Sequence, residues 1–459
     1  MINDTKEHHK GRSRIVFAGQ EGINNHRQIG VVYEKNDGFS THLAPNRFGK
    51  IVKMPDRTLY LYSRQFRKSD MPAVPMDVIV SYGLSPTMWE DLNTDVLLFN
   101  SHHANANCCT KALRAAGIDC IFDSGGFQMI QGTLDFVDPV NIVKDYNRLA
   151  SIGMGLDLPS PPAIDDMFYV QNCKLQKLNN AFMLNTLSDR VTLAPIVHGH
   201  SPKTRLHCLK TVGSKNDKVL ALANLQLSTL DTISSFKMKL ACLALVLHRT
   251  RGHVVYYHLL GVTSIFWRVA MAFLCLKDYT ISMGGDSVSH RQHSMTGTYH
   301  TPHFYDNTTA MSTVKTSRTA SGLPCGCPVC LICKDARVLD LAVLHEIHEA
   351  YIAANSNELV RNNVLLYIRG AIGRNELYNS IIPKGDKINR QRMNIFFDYF
   401  ENVVTLGYDK TPKLYEETES FPKQTSTDLF GITAGKKSAL VDRYTEIHGR
   451  YAKYHKTTI

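Results

Sequence analysis

Residues 119–128 read Asp119-Cys120-Ile121-Phe122-Asp123-Ser124-Gly125-Gly126-Phe127-Gln128. A short apolar run stops on a carboxylate, a hydroxyl and two glycines. Such a run suits a strand buried on both faces, and the polar residues after it suit a sharp turn into the next element. The unit recurs along the chain. Other β-runs stand at Asp77–Ser81, Asp95–Phe99, Ile152–Leu156, Leu193–Val197, Lys218–Ala223, His253–His258 and Tyr279–Met283. Helical spacing fills intervals at Asp138–Leu149, Pro202–Val212, Leu230–His248 and Ser264–Leu276. Eight β-runs, each followed by a crossover, predict an α/β fold, a (β/α)8 TIM barrel, with a doubly wound open sheet as the alternative.

Outward from this centre, residues 1–75 read as an N-terminal strand-rich segment packing on the barrel, with runs at Arg14–Ala18 and Thr58–Tyr62. The barrel is expected over 76–320, ending in a long His/Thr/Ser-rich loop from 291 to 324. A cysteine-rich subdomain follows over 321–380, with helices at Ala336–Ala353 and Asn357–Ile372. Residues 381–459 form a helical, basic C-terminal extension: Asn389–Val404 is apolar at helical spacing, Lys410–Gly435 is an irregular linker, and Ser438–His455 is a last helix. Its basic residues are interleaved with Tyr444, Tyr451 and Tyr454, a pattern that fits phosphate binding or simple packing of tyrosines on the body.

The chain has 459 residues, 44% hydrophobic and 20% charged, which excludes wholesale disorder. A net charge of +11 points to a polyanionic partner, nucleic acid before membrane. No apolar run is long enough to span a bilayer, and the first residues are polar, unlike a secretory signal, so the expected compartment is the cytoplasm. Eleven cysteines in such a chain are expected to be reduced, most of them as small buried apolar residues. The exception is Cys325-Gly326-Cys327-Pro328-Val329-Cys330, three thiolates within six residues. With a histidine on a following helix they satisfy tetrahedral Zn²⁺; His345, His348 and Cys333 are the available fourth ligands.

In a parallel barrel the loops after the strands build the active site. Here those loops carry Asn100-Ser101-His102-His103, Asp123 to Gln128, Leu156-Asp157-Leu158-Pro159, His198-Gly199-His200, Asn224 and Gly284-Gly285-Asp286-Ser287. Three carboxylates on one rim form an acid/base constellation, although any one strand-end Asp also suits a helix cap.

The Asp-Ser-Gly-Gly-Phe-Gln run resembles the signature of the tRNA-guanine transglycosylase superfamily, base-exchange enzymes that insert 7-deazaguanines into nucleic acid. Asn100-Ser101-His102-His103 is similar to its Asn-Thr-Tyr-His segment, and Ile152-Gly153 with Leu156 to Pro162 is similar to the base-recognition strand of archaeal members. Leu259-Leu260-Gly261-Val262, Gly285-Asp286-Ser287 and the Cys-x-Cys-Pro-Val-Cys segment resemble family segments in the same order. The resemblance covers roughly 76–375. It implies Asp286 as nucleophile, forming a covalent glycosyl-enzyme intermediate, and Asp123 as general acid/base. It implies substrate binding by Asn100, His103, Ser124, Gly125, Gly126, Gln128, Asp157, His198, Asn224 and Gly261. It also implies a structural Zn²⁺ held by Cys325, Cys327, Cys330 and His348, with His345 or Cys333 as alternatives to the histidine. His198 and Asn224 stand where the family has Gln and Gly, so the incoming base is left open. The chain looks most like the DNA-modifying branch, the DpdA type, which replaces guanine in DNA by 7-cyano-7-deazaguanine (preQ0) or a derivative, working in bacterial or phage modification systems with helper proteins. A tRNA enzyme of the queuosine or archaeosine type, or an inactive nucleic-acid-binding relative, is the alternative.

Overall fold

The structure is a computed structural model. It describes residues 58–64, 96–100, 119–159, 166–227, 231–262, 264–278, 280–287, 298–301, 312–315, 360–382, 386–406 and 434–458.

Nine strands pair in one wholly parallel sheet. In chain order they are β1 (Thr58–Arg64), β2 (Val96–Asn100), β3 (Asp119–Asp123), β4 (Ile152–Met154), β5 (Thr192–Ala194), β6 (Ile196–Val197), β7 (Val219–Leu222), β8 (Tyr256–Leu259) and β9 (Ser282–Ser287). The pairing order is β5-β4-β3-β2-β1-β9-β8-β7-β6. Its two ends belong to one stretch of chain, because only Pro195 separates β5 from β6. Proline has no N–H, so it interrupts the ladder without ending the strand's course. On one side Ala194 O accepts from Gly155 N (2.9 Å); on the other Pro195 O accepts from Ala221 N (2.9 Å).

The β-runs of the sequence match β2 to β9 within a few residues. The first differs. β1 contains Thr58–Tyr62, read from sequence as part of the N-terminal segment, and lies between β2 and β9. Asp77–Ser81 lies outside the described residues. The stretch read as a long loop holds a two-stranded antiparallel pair, β10 (Thr298–Thr301) and β11 (Ser312–Lys315).

Helices cross between the strands: α1 (Gly126–Ile130) and α2 (Pro139–Leu149) after β3, α3 (Asp166–Thr186) after β4, α4 (Pro202–Val212) after β6, α5 (Ile233–Thr250) after β7 and α6 (Ile265–Lys277) after β8. Their starts follow local chemistry. Asp138 Oδ1 accepts from Val140 N (2.9 Å) with Pro139 at the first helical position, and Ser201 and Thr204 form a reciprocal capping box with Pro202 between them. All four residues of β7 and of β8 are buried, as expected of parallel strands covered on both faces.

Residues 360–368 are helical, followed by α7 (Arg374–Ile381), α8 (Lys387–Leu406) and α9 (Ala434–Thr458). α8 packs its Phe396 and Phe397 edge-on against Phe266 and Phe273 of α6. This sandwiching between sheet and α8 explains why Phe266 to Leu276 are buried all round the helix. Cys173, Cys208, Cys242 and Cys275 are buried free thiols. No described helix is long and apolar enough to cross a membrane.

Candidate active site

Asp123 closes β3, level with Asn100 on β2. It is half-buried. Burial pushes its pKa up to about 7, and the charges of Asp157 and Asp286 push in the same direction, against hydrogen bonds from the backbone N–H groups of Gly125 and Ser124. The three carboxylates singled out in the sequence therefore lie within electrostatic reach of one another at the ends of β3, β4 and β9.

The turn after Asp123 needs its two glycines for different reasons. Gly125 precedes α1 with φ 84°, the left-handed region. Gly126 lies against the next strand's loop: a Cβ there would fall 2.0 Å from Asp157 O and 2.6 Å from Asp157 Oδ1. Ser124 is buried, and Gln128 is half-buried with its Oε1 enclosed and without a hydrogen-bond partner among the described residues.

Asp157 is buried and its Oδ2 accepts from His198 Nε2 at 2.8 Å. His198 follows β6, and its backbone N–H points at Cys208 Sγ (3.3 Å). Its Nδ1 is buried without a partner among the described residues. Asn224, at φ 61° after β7, accepts from Gly199 N through Oδ1 (3.0 Å). His198 and Asn224 are thus joined: the Asn224 side chain fixes the turn that carries His198. Arg205 of α4, buried, reinforces the same corner by donating to the carbonyls of Val197, Gly199 (2.9 Å) and Ala223 (2.6 Å).

Asp286 lies near the end of β9 and is buried. Its Oδ1 accepts from Gly261 N and from His258 Nε2, each at 2.9 Å. His258 is wholly buried on β8, and its Nδ1 meets the Tyr256 hydroxyl at 3.3 Å. Nε2 is the donor to the carboxylate, which turns Nδ1 toward the Tyr256 hydroxyl. Gly261, read from sequence as a substrate contact, spends its N–H on Asp286. No acceptor bond falls on Asp286 Oδ2 among the described residues.

Neither a family model nor a curated protein matches this chain.

His103 and the metal candidates Cys325, Cys327, Cys330, Cys333, His345 and His348 lie outside the described residues, and of Asn100 only the strand position is described. Among the described residues, no group of three or more His, Cys, Asp or Glu side chains could hold a metal ion. His258, Tyr256 and Arg205 were missed by the sequence reading. Strand register, which the sequence does not carry, brings out the first two: Tyr256 and His258 share one face of β8, and His258 pairs with Gly284, two residues before Asp286.

Proposed function

We propose that the parallel sheet closes through the stretch 192–197 into a (β/α)8 barrel, and that the chain is a pentosyltransferase replacing guanine in DNA with preQ0 or a derivative. The observation that carries this reading is the grouping of Asp123, Asp157 and Asp286, with Asp123 raised to about 7 by burial and by the other two. A carboxyl half-protonated near neutrality can give a proton to a departing base and take one from its replacement.

In the first step Asp286 Oδ2 attacks the sugar's anomeric carbon. The glycosidic bond breaks, its electron pair leaves with guanine, and Asp123 supplies the proton. The result is an ester between sugar and Asp286. In the second step the incoming base gives a proton to Asp123, its nitrogen attacks the same carbon, and Asp286 is released as carboxylate. Paired carboxylates share these roles in retaining glycosidases, around a similar oxocarbenium-like transition state. His258 and Gly261 pin Oδ1, so the attacking oxygen is presented in one orientation at no further entropic cost. Asp157 would accept from the base's adjacent N1–H and exocyclic amine, with Ser124 and Gln128 on the remaining polar edge. Because the anomeric carbon is shielded in a duplex, the target nucleotide has to be extruded or single-stranded.

The donor set of three thiolates and an imidazole, Cys325, Cys327, Cys330 and His348 (or His345), or of four thiolates with Cys333, fits a structural Zn²⁺ with no open position. No step of the exchange is assigned to it.

The test is incubation of the purified chain with labelled preQ0 and, separately, DNA and tRNA. Label in DNA alone is the expected result. Label in tRNA alone would keep the chemistry and change the substrate, and label in neither would overturn the reading.

A further inference from the structure

We propose that the C-terminal helix α9 is a latch that sets the affinity of the base pocket, with Arg443 as its positioning residue. The inference rests on the base-exchange reading above and concerns residues that touch no substrate.

α1 is a single helical turn and a half, and Gln128 sits in its middle. A helix this short has almost no internal hydrogen bonds to hold it, and its last carbonyls have no helical partner. Local donors take part of them, Thr133 N and Leu134 N on Gln128 O and Gly132 N on Met129 O, and Arg443 joins from more than 300 residues away, tying Met129 O to the carbonyls of the turn that follows. Its Nε and Nη2 each reach Met129 O at 3.2 Å, and Nη2 also reaches Leu134 O (2.9 Å) and Asp135 O (2.7 Å). A guanidinium at a helix C-terminus is favourable both as donor and as positive charge.

The same helix holds the neighbouring segments. The Tyr451 hydroxyl donates to Val137 O (2.7 Å), and that of Tyr444 donates to Pro159 O, two residues after Asp157. Both rings are fully buried. On its other side His448 meets Asn172 Oδ1 (2.6 Å) and His455 meets Asn179 Oδ1 (2.9 Å), which anchors α9 to α3. One helix therefore fixes the loop of Gln128 and the loop of Asp157 relative to each other. Both loops face the free base in the proposed reaction, whereas Asp286 and His258 belong to β9 and β8, outside these contacts. Loosening the latch should weaken recognition of the base and leave the chemical step largely intact.

The experiment compares the full chain with Arg443→Met, Arg443→Lys and Tyr451→Phe, using guanine as the probe. Calorimetry gives guanine affinity, exchange of labelled guanine into nucleic acid gives KM and kcat, and thermal melting reports folding. Arg443→Met should raise the guanine Kd and KM about tenfold with kcat within about threefold of wild type. Arg443→Lys should recover part of the loss. Tyr451→Phe, which keeps the buried ring, should show a smaller shift of the same kind and covers the case in which the Met variant does not fold. Wild-type guanine affinity in both Arg443→Met and Tyr451→Phe, or a fall in kcat and melting temperature with KM unchanged, would overturn the latch alone. A wild-type chain that binds no guanine would overturn the base-exchange reading, and the latch with it.

Discussion

Asp123 titrates near pH 7 because its own burial and the charges of Asp157 and Asp286 all oppose ionisation. The unfolded chain releases that proton near pH 4. Between these values the native state holds a proton that the unfolded state has lost, so stability falls as pH rises through the window. Asp123→Asn should therefore be more stable than wild type at pH 8, by up to about 4 kcal/mol, with the gain fading toward pH 4. Denaturant titrations at several pH values check this. The same proton predicts that kcat/KM falls above about pH 7, and that Asp123→Asn lacks this limb while being far slower. At Asp286 the controlling contact is His258. His258→Phe removes one of the two donors on Oδ1 and should lower kcat about 10²-fold while leaving the KM for the free base unchanged. A rise in KM at constant kcat would place His258 in base recognition instead. The acids were legible in the sequence because each follows a β-run at the same end. His258 was not, since a lone histidine inside an apolar strand is read as core until the partner across the sheet is known.

Elements followed the sequence where local chemistry and burial agreed. Pro202–Val212 is a helix over the residues expected, with its Ser201 cap and proline start. α3 was not named in the sequence reading because its buried face carries Asn172, Gln176, Asn179 and Asn180 in place of apolar residues, which blurs the helical period. β10 and β11 were missed for a similar reason: Thr298-Tyr299-His300-Thr301 and Ser312-Thr313-Val314-Lys315 show no apolar alternation. α6 and α8 show what burial on several sides contributes. Phe397 is fully buried and meets Phe273, Tyr367, Tyr378 and Phe396. Phe397→Ala should cost about 3–5 kcal/mol in chemical denaturation, and a loss under 1 kcal/mol would contradict the packing of α8 on α6.

Across the whole molecule, distance in sequence limits what can be read without coordinates. The net charge of +11 suggested a polyanionic partner, and the basic, tyrosine-bearing last helix was the obvious surface for it. In the structure Tyr444 and Tyr451 are buried against the body, and Arg443 and Arg450 turn toward residues 129–135. Arg450 bonds both carboxylate oxygens of Asp135 and lies 4.4 Å from the Phe136 ring centroid. No local pattern announces a contact between residue 443 and residue 129; it exists only because the sheet brings β3 and β4 together at the end that α9 covers. The grouping of Asp123, Asp157 and Asp286 is long-range in the same sense, yet it was foreseeable, because parallel strands put their following loops at one end. Their joint action is tested most directly by trapping the ester. The purified chain is mixed with guanine-containing DNA, quenched in denaturant and digested, and the peptide bearing residue 286 is weighed. A sugar–nucleic acid adduct on Asp286, absent from Asp286→Ala, is the expected result. An adduct on another residue, or full base exchange by Asp286→Ala, would contradict it.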